Sequence, residues 1–214
     1  MLVPHDESPL PSRMSASAFI YLASQSPRRQ ALLEQIGVAF QLLLPPDLAA
    51  AEALEAVLPQ ESALKYVKRV TRLKLKSAMQ QMHQQSLPVR PVLCADTTVV
   101  IDQRILGKPA NTTQAIEMLT LLSGKTHQVL TAVAVGHHRR TLLALSRSSV
   151  KFVSMTSADI QAYVDSHEPM GKAGAYAVQG RASAFIQKIS GSYSGIMGLP
   201  LYETTQLLQS IEAA

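Results

Sequence analysis

Ala18-Phe19-Ile20-Tyr21-Leu22-Ala23-Ser24-Gln25-Ser26-Pro27-Arg28-Arg29 sets the class of this fold. Its first six residues are apolar and bounded by a polar turn, which reads as a short buried strand. Ser26 followed by Pro27 starts a helix, with serine as N-cap and proline at the first helical position. That helix runs to about Gly37. A strand feeding a helix through a short turn is the repeating unit of α/β proteins.

The rest of the chain continues the alternation. Residues 44–60, rich in Pro and Ala, form an irregular segment or a short helix. Gln60–Gln84 is a long basic helix with Leu64, Val67, Val70 and Leu75 at helical spacing. Val92–Ile101 is a strand with polar residues in its middle, Asp102-Gln103 a turn, and Ile105–Pro109 follows. Asn111 caps a helix over Thr112–Leu122 with Gln114 as its capping-box partner, and Ser123-Gly124 stops it. Val129–Val135 and Leu142–Val153 are strands joined across a hairpin tip at Gly136–Arg140. Ser157 caps a helix to about Ser166, a glycine-rich stretch spans Gly171–Gly198, and Pro200 opens a terminal helix at its first position. There is no internal repeat and no inter-domain linker. Residues 18–214 are expected to form a single domain, preceded by a disordered leader, Met1–Ser17, in which Met14 offers an alternative start.

With 214 residues, 47% hydrophobic and 16% charged, the composition is that of an ordinary globular domain. The net charge of +5 suits an anionic substrate or nucleic acid, but many plain enzymes carry as much. A single cysteine, Cys94, excludes an internal disulfide and a multi-cysteine zinc site, and its apolar neighbours mark it as a buried small hydrophobe. No apolar run approaches the roughly 20 residues needed to span a bilayer, and the leader lacks a hydrophobic signal region. The expected location is the cytoplasm, away from membranes.

Arg28 and Arg29 fall in the first helical turn, beside the positive end of the helix dipole. Cations there are disfavoured by roughly 0.3–1 kcal/mol each. With the free N–H groups of the turn they would make a phosphate clamp; otherwise they point to solvent or pair with acids. Asp96 is embedded between Val92–Ala95 and Thr97–Ile101. A carboxylate in such a strand is costly unless paired, hydrogen-bonded or metal-bound. It suits a divalent cation held by few carboxylates, or a base for an attacking water; the alternative is a structural pair with an arginine or a turn. Lys108, fixed between Gly107 and Pro109, can contact phosphate or be a solvated lysine. Lys74 shares its helix with Lys65, Lys68, Arg69, Arg72 and Lys76, most of them a solvated face. Gln179, between Val178 and Gly180, can read a base edge or simply close a Gly/Ala turn. His127, His137 and His138 show no metal-ligand spacing, and neither a Ser-His-Asp arrangement nor a Walker-type loop is present.

Taken in order, Leu22–Arg29, Tyr66–Arg69 with Lys74, Ala95-Asp96-Thr97, Leu106–Pro109, Leu122–His127, Glu168–Tyr176, Gln179-Gly180, Gly191–Tyr193 and Gly198–Leu201 resemble the Maf family of nucleotide pyrophosphatases. The resemblance covers roughly residues 20–210. It implies a two-lobed α/β fold similar to inosine triphosphate pyrophosphatases, with a twisted mixed sheet flanked by helices around a deep cleft, often as a homodimer. It implies hydrolysis of a nucleoside triphosphate between the α- and β-phosphates with a divalent metal cation, Mg²⁺ or Mn²⁺. By motif match Asp96 would be the catalytic proton acceptor and the metal contact. Ser24, Arg28, Arg29, Lys74 and Lys108 would hold the triphosphate. Arg28, Thr97 and Gln179 look like the specificity set of the branch acting on dTTP and UTP, including modified pyrimidines. Where the family pattern has an acidic segment after the first helix, this chain has Pro45-Pro46-Asp47-Leu48 with Glu52 and Glu55 beyond, which leaves a second metal carboxylate unassigned.

Two competing readings differ in testable ways. A 7-methyl-GTP pyrophosphatase would keep the chemistry and change the base. A division regulator or nucleic-acid-binding protein using the basic helix would leave Asp96 idle. Few aromatics (5%, no Trp) argue against a single-strand stacking platform, so no nucleic-acid partner is expected.

Overall fold

The computed structural model describes residues 19–213, so the expectations for the leader and Met14 lie outside the described residues. Its frame is a seven-stranded mixed sheet in the order β2-β1-β3-β5-β6-β7, with β4 pairing with β3 off that path. β1 (Ile20–Leu22) runs parallel to both β2 (Phe40–Leu42) and β3 (Val92–Ile101). β3 is antiparallel to β4 (Arg104–Leu106) and to β5 (Thr126–His137), which pairs along its length with β6 (Arg140–Phe152). β7 (Ile186–Ser190) closes the far edge.

The two hairpins follow from local chemistry. Asp102 and Gln103 both have positive φ (47° and 66°), which a tight two-residue turn of matching twist requires. The β5–β6 turn is also tight, with His138 at φ 53° and pairing down to His137–Arg140. Both strands are therefore longer than their apolar stretches alone suggest.

Helices cover the two faces unequally. α3 (Ala63–Gln84) covers one face, burying Tyr66, Val67, Val70, Leu75, Ala78 and Met82 against Val92, Cys94, Leu130, Ala132 and Ala134. Cys94 is fully buried there, as its neighbours suggest. The other face carries two separate cores. One joins α1 (Pro27–Gln35) and α7 (Leu201–Glu212) to β1 and the start of β3. The other joins α4 (Thr112–Leu122) and α5 (Ser157–Asp165) to the end of β3 and to β5 and β6. α2 (Leu48–Ala53) and α6 (Tyr193–Met197) are short. Among the described residues no helix is long and apolar enough to cross a membrane.

Two caps differ from expectation by one residue. Thr156, not Ser157, caps α5, because Asp159 lies three positions on and completes a reciprocal capping box. Pro200 is the N-cap of α7 rather than its first residue. Asn111 caps α4 through the Gln114 N–H, but the Gln114 side chain accepts from Ala110 N instead of Asn111 N. Ser26 occupies the N-cap of α1 without a side-chain bond; its own N–H donates to Ser24 Oγ at 3.2 Å.

Candidate active site

The cleft opens where β3 loses a neighbour. β1 covers β3 as far as Leu93, and β4 covers it from Val99. Between them, among the described residues, Cys94–Thr98 pairs with a strand on the β5 side only. Loops leaving the carboxyl ends of β1 and β4 converge on this gap, the place where open α/β sheets bind ligands. The cavity is ≈ 380 Å³, and Ser24, Arg28, Arg29, Glu55, Lys74, Asp96, Thr97, Lys108, Lys172 and Gln179 all line it. Every residue proposed from sequence is therefore brought to one cleft. Because β3 side chains alternate, Asp96 faces α3 while Thr97 faces α6 on the opposite side.

Asp96 is 6% exposed. Its Oδ1 accepts from Lys74 Nζ at 2.7 Å, and the same ammonium donates to Glu55 Oε1 at 2.7 Å. Lys108 Nζ reaches Glu55 Oε2 at 3.3 Å. Burial works against the Lys74 ammonium, but the Asp96 and Glu55 carboxylates outweigh it and hold its pKa above the ordinary value. Burial likewise disfavours the Glu55 carboxylate, and Lys74 and Lys108 outweigh that, drawing its pKa down. The cleft floor is thus an alternating row of fixed charges.

Glu55 had no assigned role in the sequence, and the structure explains its position. The turn after α2 is pinned from α3. Tyr66 Oη donates to Glu55 O at 3.0 Å, and Arg69 donates to Leu54 O at 3.4 Å and to Ala56 O at 2.8 Å. Arg69 is itself held by two 2.7 Å bonds to Glu61. So Tyr66 and Arg69, on the basic helix, aim Glu55 into the cleft, while Lys65, Arg72 and Lys76 form the expected solvated face.

The two arginines resolve their conflict with the helix dipole by bending back to another helix. Arg28 Nε donates to Met197 O at 3.2 Å and Arg29 Nε to Gly198 O at 2.8 Å, at the carbonyl end of α6. Arg29 Nη1 also donates to Ser24 Oγ at 2.9 Å. Among the described residues, the remaining Nη groups of Arg28 and Nη2 of Arg29 have no hydrogen-bond partner, so both guanidiniums keep donors for an anion. Burial lowers both arginines; for Arg29 Asp96 opposes that and Arg28 adds to it.

A clipped loop forms the opposite wall. Glu168 accepts from Tyr163 Oη at 2.8 Å and from Arg181 N at 3.1 Å, tying together the two ends of a loop. Gly180 lies so close to this carboxylate that any Cβ would overlap it. Gly174, at φ 69°, lets the loop approach Val99, whose side chain would lie 2.8 Å from an added Cβ. The loop presents Lys172, whose pKa is lowered by burial and by Arg28, and the exposed Gln179.

Tyr176 anchors this wall from behind through a 2.8 Å bond to His127 Nε2. His127 is 1% exposed and its Nδ1 has no partner among the described residues. Burial pushes its pKa down to about 4. A histidine depressed in the folded state loses stability as pH falls, because the unfolded chain takes up the proton first. Urea unfolding between pH 6.5 and pH 4 should therefore show a loss on the order of 3 kcal/mol from this residue. His127→Gln, which keeps a partner for Tyr176 but cannot titrate, should flatten that slope. An unchanged slope would mean that His127 is not the group responsible. The hairpin-tip histidines lie far from this wall in the chain; His138 is exposed and His137 half-buried.

Chemically the cleft sets one deeply placed carboxylate among cations, an arrangement suited to a polyanion. Cations arrive from four separate elements, and hard carboxylate oxygens of Asp96 and Glu55 lie between them. Among the described residues there is no cluster of three or more His, Cys, Asp or Glu.

The chain matches the family model described as Maf-like protein over residues 19–211. It is 60% identical over 197 residues to a dTTP/UTP pyrophosphatase of Polaromonas sp., covering 92% of this chain and 98% of that one. It is 59% identical to a dTTP/UTP pyrophosphatase of Albidiferax ferrireducens (91% and 97% covered) and 56% identical to one of Burkholderia lata (96% and 100% covered). Among solved structures, that of a HAM1 protein from Coxiella burnetii aligns with a TM-score of 0.48 and 16% identity, over 90% of this chain and 99% of that one. The family match extends from the strand before the arginine turn into the last helix, and the cleft lies wholly within it: this chain belongs to the Maf family.

Proposed function

We propose that this chain hydrolyses dTTP, UTP and modified pyrimidine nucleoside triphosphates to the monophosphate and pyrophosphate. The observation that carries the reading is the cleft floor: one buried carboxylate, Asp96, set among lysines and arginines converging from separate elements. The names of the relatives support the base preference. In this reading Arg28, Arg29, Lys74, Lys108 and Ser24 bind the triphosphate and stabilise the charge that develops as the anhydride breaks. Asp96 orients a water and accepts its proton. Lys74, donating to Asp96 and Glu55 together, fixes that carboxylate in place. Thr97 and Gln179 read the base.

Asp96 and Glu55 fit a Mg²⁺ or Mn²⁺ ion, since such ions take one or two carboxylates and complete their shell with water and substrate phosphates. When bound, the cation supplies Lewis-acid neutralisation of phosphate charge. The same reading has the chain work as a homodimer in the cytoplasm, on free nucleotides.

The test is pyrophosphate release from a panel of nucleoside triphosphates with Mg²⁺ or Mn²⁺, and with chelator. Turnover of dTTP and UTP that chelator abolishes is the expected result. Preference for 7-methyl-GTP would overturn the base assignment, and no turnover from folded protein would overturn the enzymatic reading.

A further inference from the structure

We infer that Thr131 is a positioning residue for base selection: it fixes the Thr97 hydroxyl as a hydrogen-bond acceptor toward the cleft, so that the site reads the imide N–H of uracil or thymine and rejects cytosine. The inference rests on the pyrimidine reading above.

Thr131 is 0% exposed and lies directly opposite Thr97 in the β3–β5 ladder, so the two side chains share a face. Thr131 Oγ1 is 2.7 Å from Gly195 O and 2.9 Å from Thr97 Oγ1. A hydroxyl has one proton, and a carbonyl can only accept. Two buried oxygens 2.7 Å apart repel unless a proton lies between them, so the Thr131 proton points to Gly195. The bond between the threonines must then use the Thr97 proton. Thr97, half-buried and lining the cleft, has only lone pairs left to offer it. Gly195 O also accepts from Gly198 N at 3.1 Å, which braces this chain against the turn that holds Arg28 and Arg29.

An ordinary threonine rotates its proton to suit a donor or an acceptor; this one cannot without breaking its bond to the buried Thr131. Uracil and thymine carry an N–H at ring position N3, where cytosine carries a lone pair. Gln179 cannot make that distinction alone. It is exposed and its side chain has no hydrogen bond among the described residues, so its amide can flip to match either base. A hydroxyl of fixed polarity supplies the discrimination, because cytosine would set lone pair against lone pair in a partly desolvated site.

The experiment measures kcat/KM for UTP, CTP and 3-methyluridine triphosphate with the full chain and Mg²⁺, for the wild type, Thr131→Val and Thr131→Ser. The wild type should prefer UTP over both alternatives. Thr131→Val keeps the shape, leaves Gly195 O bonded to Gly198 N, and frees the Thr97 proton. It should narrow the UTP-to-CTP ratio by about tenfold, largely through a gain on CTP, and Thr131→Ser should restore the wild-type ratio. A merely structural role would lower both substrates together and leave the ratio unmoved. Wild-type turnover of 3-methyluridine triphosphate equal to that of UTP would overturn the inference, and this arm needs no variant to fold. So would a folded Thr131→Val whose ratio stays within about twofold of wild type. A wild type inactive on both UTP and dTTP would instead remove the functional reading on which the inference stands.

Discussion

Asp96→Asn lowers kcat for pyrophosphate release from dTTP on the order of 10³-fold, the range expected for loss of a positioned general base. The amide keeps the size of the carboxylate, and its oxygen can still accept from Lys74, which now does so at 2.7 Å. Glu55 continues to neutralise that ammonium. The expected signature is therefore a collapse in kcat with little change in melting temperature and a modest change in KM. Single-turnover kinetics with excess enzyme would separate chemistry from product release. A fall of less than about tenfold would assign the proton to another group.

Lys74→Met is expected to cost both activity and stability. The ammonium contacts two carboxylate oxygens at 2.7 Å, one on Asp96 and one on Glu55. Removing it leaves two like charges facing each other, one of them nearly buried. Breaking a fully buried pair costs about 3–5 kcal/mol, and the partial exposure of Lys74 and Glu55 brings the expectation to about 2–3 kcal/mol. Activity should fall at least about 10²-fold, since Asp96 loses the group that orients it and the triphosphate loses a cation. Urea midpoints and kcat/KM measured on the same preparation check both. A variant as stable as the wild type would show that the carboxylates do not depend on the lysine.

The central strand is legible to its last residue because Val92–Ile101 is both apolar and bounded by a turn, and α4 because Asn111 and Ser123-Gly124 mark both its ends. Of the three three-residue strands, β1 stands out as an apolar run before a turn, but the other two do not. β2 and β4 have no alternation of their own and exist through pairing with β1 and β3. The caps at Thr156 and Pro200 were displaced by one residue because neighbouring residue types can serve equally until a partner such as Asp159 decides. At the site, Asp96 stood out as a polar group in an apolar strand. Thr131, in the run Val129–Val135, carries the same signal: a buried polar side chain must have partners. Glu55 carries none. Its place depends on Tyr66 and Arg69 gripping the backbone around it, a relation between separate elements that local pattern does not encode.

The bonds from Arg28 and Arg29 to Met197 and Gly198 join residues 169 positions apart. A ribosome makes the arginine turn 169 residues before its carbonyl partners. Until Gly198 has emerged, the two guanidiniums lack the backbone that holds them, and Thr131 lacks Gly195. The nascent chain therefore carries an unfinished site across that whole interval, and the cleft is completed only when the Met197-Gly198 turn closes over the first helix.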